Sequence, residues 1–263
     1  MPKRRNLCNY MQTISVVIIC KNEAKVISRT LESLQGLTDD IVVFDNGSND
    51  NTTEVAKQFN VQLHQGSWEG FGKTKNKATA LGRYDWILSI DADEAIDEEL
   101  KQSILALELT EEHIVYELKF KNFLGDKYLK YGEWGNDKHI RLFNRKMVNW
   151  DMELVHERLI IPAEVTVKKL SGYVLHRTMK DIKDYALKMV EYAMLNAAKY
   201  HRMGKQSSWF IIRLAPGFAF LKYYVFKLGF LDGQHGYICA KMTAHYTFLK
   251  YSRLKELQQQ NNK

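Results

Sequence analysis

The stretch YDWILSIDADEAID, residues 84–97, joins an apolar run to four acidic side chains that fall within seven positions. An apolar run of this length is typical of a strand that is covered on both faces. Acidic side chains crowded at the end of such a strand repel one another unless they share a cation. The acids are Asp91, Asp93, Glu94 and Asp97. We therefore expect a buried strand that ends at a cation-binding site.

Three similar strand-like runs precede this stretch and alternate with helical patterns. They are TISVVIIC at 13–20, DIVVFDN at 40–46 and VQLHQG at 61–66. This alternation predicts right-handed β-α-β units on a parallel sheet, in which ligands bind at the carboxyl ends of the strands. The polar clusters CKNE and DNGSND follow the first and second strands directly. We expect these clusters to share one edge of the sheet with the acids.

The remaining chain changes character twice. Residues 113–178 form strand-like pieces separated by loops rich in glycine and aromatic residues, which is typical of an antiparallel half that contacts substrate. A long amphipathic helix is predicted from residue 181. Residues 180–263 hold 14 Lys or Arg against 5 Asp or Glu, whereas the whole chain of 263 residues has a net charge of +7. The basic last third indicates a polyanionic partner.

Aromatic and basic side chains interleave along residues 207–231. Arg213, Lys222 and Lys227 interrupt the apolar sequence, and Pro216–Gly217 is expected to break it, so a bilayer-crossing helix of about 20 apolar residues is not predicted. The pattern favours a helix pair in the headgroup region of an anionic membrane. An aromatic core packed on the catalytic domain is the alternative. No basic nucleic-acid motif is present, so no nucleic-acid partner is expected.

Cysteine usage and the N-terminus indicate the compartment. The three cysteines are widely spaced and form no C-x-x-C, so neither a disulfide framework nor a zinc cluster is predicted. No apolar stretch of signal-peptide length precedes the first strand. We expect a cytoplasmic protein.

Two of the four acids have the spacing of a metal site. Alternation along an extended segment would send Asp91 and Asp93 to the same side, about 7 Å apart at the Cα atoms, within reach of one Mg²⁺ or Mn²⁺ that holds a diphosphate. The competing explanation, that acids favour the first turn of a helix, accounts for Asp97 and its successors but not for this pair.

A second nucleotide-binding pattern competes with the first. SWEGFGKT, residues 67–74, resembles a phosphate-binding G-x-x-x-x-G-K-[ST] loop whose first glycine is replaced by Ser67. It would make the protein a nucleoside triphosphatase or kinase that uses Lys73. The pattern is weaker because the first turn of that loop needs the glycine.

Three motifs taken together resemble glycosyltransferase family 2. They are SVVIICKNEAKVISRTLESL, DIVVFDNGSNDNT and KNKATALGRYDWILSIDADE. Downstream, RLFNR, ELVHERL and GYVLH are similar to the bacterial branch of lipopolysaccharide core β-1,4-glucosyltransferases. The resemblance implies an α/β GT-A (nucleotide-diphospho-sugar transferase) fold with a mostly parallel central sheet. We expect this domain at 1–180, with a nucleotide-sugar half at 13–110 and an acceptor half at 111–180, followed by a C-terminal amphipathic helical extension at 181–263.

The resemblance implies an inverting transfer of a hexose, glucose from UDP-glucose, to a lipid-linked saccharide such as the lipopolysaccharide inner core, with Mg²⁺ or Mn²⁺. The enzyme would be peripheral on the cytoplasmic face of the inner membrane. Residues matching the nucleotide-sugar motifs of the family are Asn22, Glu23, Asp45, Lys75, Asn76 and Asp91, with Asp93 as the metal ligand. For Asn22 and Glu23, a helix N-cap with a first-turn acid is the alternative.

The remaining roles rest on single residues. The attacking acceptor hydroxyl must lose its proton to a carboxylate base. The resemblance implies Glu157 as this base, since it is the best match to the acid of the family, with Asp151 and Glu153 in reserve. His176 would complete the metal shell or be a structural histidine. Arg141 would brace acceptor or phosphate, or form an ordinary surface ion pair. A non-catalytic nucleotide-sugar binder is the remaining alternative.

Overall fold

The computed structural model describes residues 11–152 and 158–260. The chain forms two compact units. The sheet unit comprises Met1–Phe120 and Lys138–His176, and the helical unit comprises Lys121–Asp137 and Arg177–Lys263. The segment Lys121–Asp137, which the sequence-based division placed in the acceptor half, thus belongs to the same unit as the C-terminal helices.

Strands and helices alternate through the first half of the chain, and helices dominate its end. The strands are β1 Ser15–Cys20, β2 Ile41–Asp45, β3 Gln62–Gln65, β4 Trp86–Asp91, β5 Glu94–Ile96, β6 Ile114–Leu124, β7 Lys127–Tyr128, β8 Lys138–Asn144, β9 Asn149–Trp150, β10 Leu159–Ile160 and β11 Thr166–Met179. The helices are α1 Ile27–Ser33, α2 Thr52–Ala56, α3 Phe71–Ala80, α4 Glu98–Leu105, α5 Ile182–Arg202, α6 Trp209–Leu221 and α7 Gly233–Gln260.

One sheet organises the sheet unit, in the order β3-β2-β1-β4-β8-β6-β11-β5. The strands β3, β2, β1 and β4 are parallel, as the β-α alternation predicts, and β8 then pairs antiparallel with both β4 and β6. The predicted α/β class is confirmed, and the sheet has a parallel half and an antiparallel half rather than being mostly parallel. Strands β1 and β2 are buried along their whole length because helices cover the parallel half, which explains their continuous apolar composition.

The acidic stretch does not continue as an extended strand. Strand β4 ends at Asp91, a turn follows at Ala92 and Asp93, and β5 then pairs antiparallel with β11. Helix α1 holds this turn, since the Thr30 hydroxyl donates a hydrogen bond to the Ala92 carbonyl at 2.8 Å. The expected alternation of Asp91 and Asp93 along one strand is therefore wrong, because the turn reorients the second side chain.

Asp97 begins helix α4, as the first-turn explanation requires. Its carboxylate accepts hydrogen bonds from the N–H groups of Leu100 and Tyr173, both at 2.9 Å. The bond to Tyr173 brings β11 against the start of the helix, and Gly172 makes this approach possible. A Cβ at Gly172 would lie 2.1 Å from the Leu100 nitrogen, and its backbone has a φ of +86°.

The helical unit packs around its own buried cluster, which includes Leu124, Leu129, Met179, Tyr185 and Cys239. The segment 121–137 is anchored on the helices by polar contacts. Asp232 accepts hydrogen bonds from the N–H groups of Lys130 and Tyr131 at 2.9 and 2.8 Å, and the Trp134 indole N–H donates to the Tyr185 hydroxyl at 3.2 Å. These contacts hold a long loop between strands in a defined conformation.

Helix α6 runs through Pro216 without a break, which corrects the sequence-based expectation. The proline removes one backbone hydrogen bond, but the bonds on either side remain and α6 packs along α7. With the π-helical turn Lys222–Phe226, the stretch Trp209–Phe226 has the length and composition of a membrane span, with a mean hydropathy of 1.2 over 18 residues. The assignment as a membrane span rests on its length and composition alone.

We expect Gly172→Ala to destabilise the protein by about 2 kcal/mol more than Gly36→Ala does, because overpacking against Leu100 adds to the backbone strain. Gly36 is a matched control, since its φ is +74° and a Cβ there would contact nothing within 4 Å. Urea unfolding of both variants measures the difference. Equal losses would show that the contact between β11 and α4 is not tight.

Candidate active site

Two carboxylates predicted from sequence lie at the carboxyl edge of the parallel strands. Strand β1 lies between β2 and β4, and its register aligns Cys20 with Asp45 and Ile19 with Asp91. The two aspartates are therefore about 10 Å apart across the edge, since neighbouring strands are spaced about 4.8 Å apart. This is the edge at which open α/β sheets bind ligands.

The loops that follow β1 and β2 are tied together. Asn22, which has a φ of +58°, donates its backbone N–H to the Ser48 hydroxyl at 2.8 Å, and its side-chain oxygen accepts from the Asn49 N–H at 2.9 Å. The Ser48 hydroxyl in turn donates to Asp45. Asn22 thus supports the loop around Asp45 rather than capping α1, in which no side-chain cap is formed.

Glu23 follows Asn22 in the loop after β1, and its backbone is bonded to the loop after β2. Its N–H donates to the Thr52 hydroxyl at 2.8 Å, and the next N–H, of Ala24, donates to Asp50 at 3.3 Å. Asp50 also accepts the Thr52 hydroxyl. The polar residues after β1 and β2 therefore form one continuous hydrogen-bonded rim at the sheet edge.

Asp91 lies in a network of four charged side chains. Lys75 of α3 approaches it at 3.1 Å and Arg141 of β8 at 3.0 Å, and the same Arg141 nitrogen lies 2.6 Å from Glu94 of β5. Glu94 also accepts the Asp91 N–H at 2.9 Å. Arg141 is thus buried between two carboxylates rather than in the surface ion pair weighed from the sequence.

The network sets the charge states of its carboxyl groups. Burial would raise the pKa of Asp91, but the nearby charges of Lys75 and Arg141 hold it well below its usual range. Burial raises the pKa of Glu94, which Arg141 only partly offsets. Asp91 therefore stays ionised, and about a third of its side chain (32%) remains exposed to contact a ligand.

Lys75 and Asn76 connect α3 to the hairpin formed by β9 and β10. The Lys75 amine lies 4.6 Å from the ring centroid of Trp150, and the Asn76 amide exchanges two hydrogen bonds with the Trp150 backbone, at 2.9 and 3.0 Å. Trp150 is buried, and its indole N–H has no hydrogen-bond partner among the described residues. Asn76 therefore positions the hairpin, while Lys75 faces Asp91.

Asp93 and His176 form a second, separate pair. The register between β5 and β11 places His176 opposite Glu94, and the His176 Nε2 atom lies 3.6 Å from the Asp93 carboxylate. Burial disfavours the charged imidazole, but Asp93 outweighs this effect and raises the pKa of His176 to about 9. The pair predicted as metal ligands is therefore together in space.

Asp93 and His176 fit a divalent cation. Mg²⁺ and Mn²⁺ need few protein ligands because they keep positions for phosphate oxygens and water. A carboxylate and a neutral imidazole are suitable donors, and cation binding would displace the imidazole proton. Within residues 11–152 and 158–260, no three His, Cys, Asp or Glu side chains cluster to hold a metal on their own.

Two of the three candidate bases, Glu157 and Glu153, lie outside the described residues. The flanks of that segment are described. The Asp151 N–H donates to the Arg158 carbonyl at 2.8 Å, and β9 pairs with β10. Through Trp150, this hairpin is held beside Lys75. The residues on either side of 153–157 are thus paired with each other, and Trp150 lies beside Lys75 of the network.

Lys73, the key residue of the alternative phosphate-loop pattern, points to solvent. Its side chain is 47% exposed and pairs with Glu69 at 3.5 Å, one turn earlier. Lys77 pairs with the same carboxylate. Residues 67–74 thus lead into α3 with Lys73 bonded along the helix surface, which does not favour a phosphate-binding role for this lysine.

The sequence did not single out Glu94, Trp150 or Ser48 as parts of the site. Glu94 was counted among the crowded acids, but its burial under Arg141 follows from the turn before β5. Trp150 carries no sequence signal, because its contact with Lys75 depends on long-range packing. The position of Ser48, three residues after Asp45, is typical of a turn in which a carboxylate accepts the later N–H.

The chain matches a family model described as "Glycosyl transferase family 2" over residues 15–146. It is 28% identical over 258 residues to an uncharacterized glycosyltransferase of Rickettsia typhi, covering 94% of this chain and 88% of that protein. It is 26% identical over 252 residues to the lipopolysaccharide core biosynthesis glycosyltransferase LpsC of Rhizobium meliloti, covering 92% of this chain and 91% of that protein.

Solved structures are also similar. S. aureus TarS 1–349 shares 17% identity, with coverage of 95% of this chain and 92% of that chain and a TM-score of 0.46. Glucosyl-3-phosphoglycerate synthase from Mycobacterium tuberculosis, in complex with Mg²⁺ and uridine diphosphate, shares 26% identity over 43% of this chain and 44% of that chain, with a TM-score of 0.34.

We expect Arg141→Met to destabilise the protein by about 3 kcal/mol at neutral pH, because it leaves buried Glu94 without a cationic partner. The double variant Arg141→Met with Glu94→Gln should lose less than Arg141→Met alone. Chemical unfolding measures both.

Arg83→Met provides the control, since the ion pair of Arg83 with Asp39 is half exposed and its loss should change stability far less. If Arg141→Met were as mild as Arg83→Met, the network would not hold the end of β4.

Proposed function

The chain belongs to glycosyl transferase family 2, and on that premise we propose that it transfers glucose from UDP-glucose, with inversion, to a lipid-linked saccharide such as the lipopolysaccharide inner core. One observation carries the proposal. Within a family-matched sheet domain, the Asp93–His176 pair lies one turn beyond the ionised Asp91, at the strand edge that also holds Asp45. A cation bound by this pair would lie next to groups suited to a nucleotide.

The nucleotide would bind along the rim formed by the loops after β1 and β2. Ser48 orients the Asp45 carboxylate, which would accept a further hydrogen bond from a uracil N–H or a ribose hydroxyl. Asn22 and Glu23 hold the facing loop. Asp91 stays ionised beside Lys75 and would accept from a donor hydroxyl.

Departure of the sugar leaves a diphosphate whose added charge must be stabilised. A divalent cation, when bound by Asp93 and His176, supplies this stabilisation without a proton. Lys75 and Arg141 hold Asp91 in one orientation through both of its oxygens. Fixing the donor in this way lowers the barrier because no reorganisation is needed as charge develops.

The acceptor hydroxyl would attack from the side of the β9–β10 hairpin. Glu157 is the proposed base, with Asp151 and Glu153 as the other carboxylates of the same segment. The Asn76 side chain forms two hydrogen bonds with the Trp150 backbone, and these bonds fix β9 relative to α3. A carboxylate of this segment would remove the proton as the bond to the anomeric carbon forms.

The lipid-linked acceptor fits the helical unit. Its α6 exposes large apolar side chains, including Phe210, Leu214 and Phe218 at 65–70% exposure, and residues 180–263 are strongly basic. These features suit the cytoplasmic surface of an anionic membrane. The similarity to LpsC supports the same class of acceptor.

Binding of UDP should require a divalent cation and Asp93. With UDP and Mn²⁺ at about a hundredfold excess over their dissociation constants, the melting temperature should rise by about 5 °C. Asp93→Asn should abolish the cation-dependent part of this rise. Differential scanning fluorimetry with and without Mn²⁺ measures it.

Asp126→Asn is the control, because the Asp126 side chain is 92% exposed and lies in the helical unit. It should keep the full response. An equal response to UDP with and without Mn²⁺ would contradict the assignment of the cation site.

Turnover should depend on Glu157 while UDP binding should not. We expect Glu157→Gln to lower UDP release from UDP-glucose, in the presence of truncated inner-core lipopolysaccharide, by about 10² to 10⁴-fold. The melting-temperature response to UDP should be unchanged. Loss of turnover only in Asp151→Asn or Glu153→Gln would move the role of base to that residue, and UDP binding without turnover in the unmodified chain would indicate a binder.

A further inference from the structure

A groove lies between α6 and α7, both in the helical unit, and none of its lining residues is part of the candidate active site. Each helix contributes a row at the spacing i, i+3, i+4, i+7, which is one helical face. The groove is open to solvent along its length and has a volume of about 520 Å³. The side chains that matter here are Trp209, Arg213 and Pro216 of α6 and Lys241, His245 and Phe248 of α7.

The basic side chains of the groove lie against aromatic rings and form no ion pair among the described residues. Arg213 lies over the Trp209 ring at 5.1 Å, and Lys241 lies 5.0 Å from the Phe220 centroid. Among the described residues, no carboxylate forms an ion pair with Arg213, Lys241 or His245. Cations gathered without carboxylates repel one another, and an anion in the groove would relieve this repulsion.

An exposed apolar row lies beside the groove on α6. Phe210, Leu214, Phe218 and Leu221 recur at four- and three-residue spacing and are 49–70% exposed. At 100° per residue, this row is adjacent to the row of Trp209 and Arg213. Helix α6 thus places an anion-attracting face next to a face that water would solvate poorly.

We propose that the α6–α7 groove binds the phosphate headgroup of an anionic membrane phospholipid, with the acyl chains lying along the exposed row of α6. The proposal rests on the membrane association in the proposed function and gives it a specific site. Arg213, Lys241 and His245 donate hydrogen bonds to the phosphate oxygens, while Trp209 and Phe248 contact the glycerol region.

Charge and surface chemistry favour a lipid over other anionic partners. A headgroup with its acyl chains matches both the cationic groove and the apolar row, whereas a soluble phosphate would leave the apolar row in water. The combination of basic and aromatic side chains on a helix is typical of the membrane interface. Anionic phospholipid is therefore the occupant that satisfies both surfaces.

The test compares binding of the full chain to vesicles of phosphatidylcholine with and without phosphatidylglycerol. Arg213→Gln with Lys241→Gln should weaken partitioning to the anionic vesicles by about thirtyfold, as expected for the loss of two cation–headgroup contacts. Lys183→Gln with Arg202→Gln is the matched control, because it removes the same charge from exposed positions on α5. Because the control removes only general positive charge, it should weaken the partitioning far less than the groove variant does.

Trp209 offers a local readout. Brominated phosphatidylglycerol should quench tryptophan fluorescence of the unmodified chain, and Trp209→Phe should remove that quenching. The proposal would be contradicted if both double variants weakened partitioning equally or if neither did. It would also be contradicted if quenching persisted in Trp209→Phe.

The response to UDP and Mn²⁺, measured on the same variants, separates this proposal from the proposed function. The groove variants should keep that response, which also shows that they are folded. If the unmodified chain lacks the response but its vesicle quenching depends on Trp209, the transferase proposal fails and the groove stands.

Discussion

A buried arginine between two carboxylates is the interaction on which the site depends. Arg141 comes from β8, Glu94 from β5 and Asp91 from β4, and Lys75 of α3 completes the balance of two cations and two anions. Charges removed from water are tolerated only when they are paired. The network thus ties four elements to one point and fixes the end of the central strand.

The network also gives the two aspartates of the D-x-D motif different partners. Asp91 forms ion pairs with Lys75 and Arg141, which hold both of its carboxylate oxygens. Asp93, turned away by the bend after β4, pairs with His176 instead. The short turn between β4 and β5 therefore places two like charges in different surroundings, one beside two cations and the other beside a histidine.

Much of the architecture could be predicted because the decisive signals are local. The apolar runs before Asp45 and Asp91, and their alternation with helical patterns, predicted the parallel strands, and the resemblance to glycosyltransferase family 2 is confirmed. The course of α6 through Pro216 could not be predicted in this way. The proline removes one backbone hydrogen bond, and the packing against α7 that accompanies the continuous helix is not visible in the local sequence. The contact of Trp150 with Lys75 was equally inaccessible, because residues 75 apart in sequence leave no local pattern.

The close approach at Gly172 restricts which residue can occupy this position. Because β11 passes so close to the start of α4, any protein that builds the same contact must have glycine at this position, whatever else has diverged. A glycine four residues before a histidine, following an aspartate-capped helix, is thus a geometric marker. It can anchor an alignment between sequences whose overall identity is too low to align by composition, and it locates the histidine beside the acidic turn.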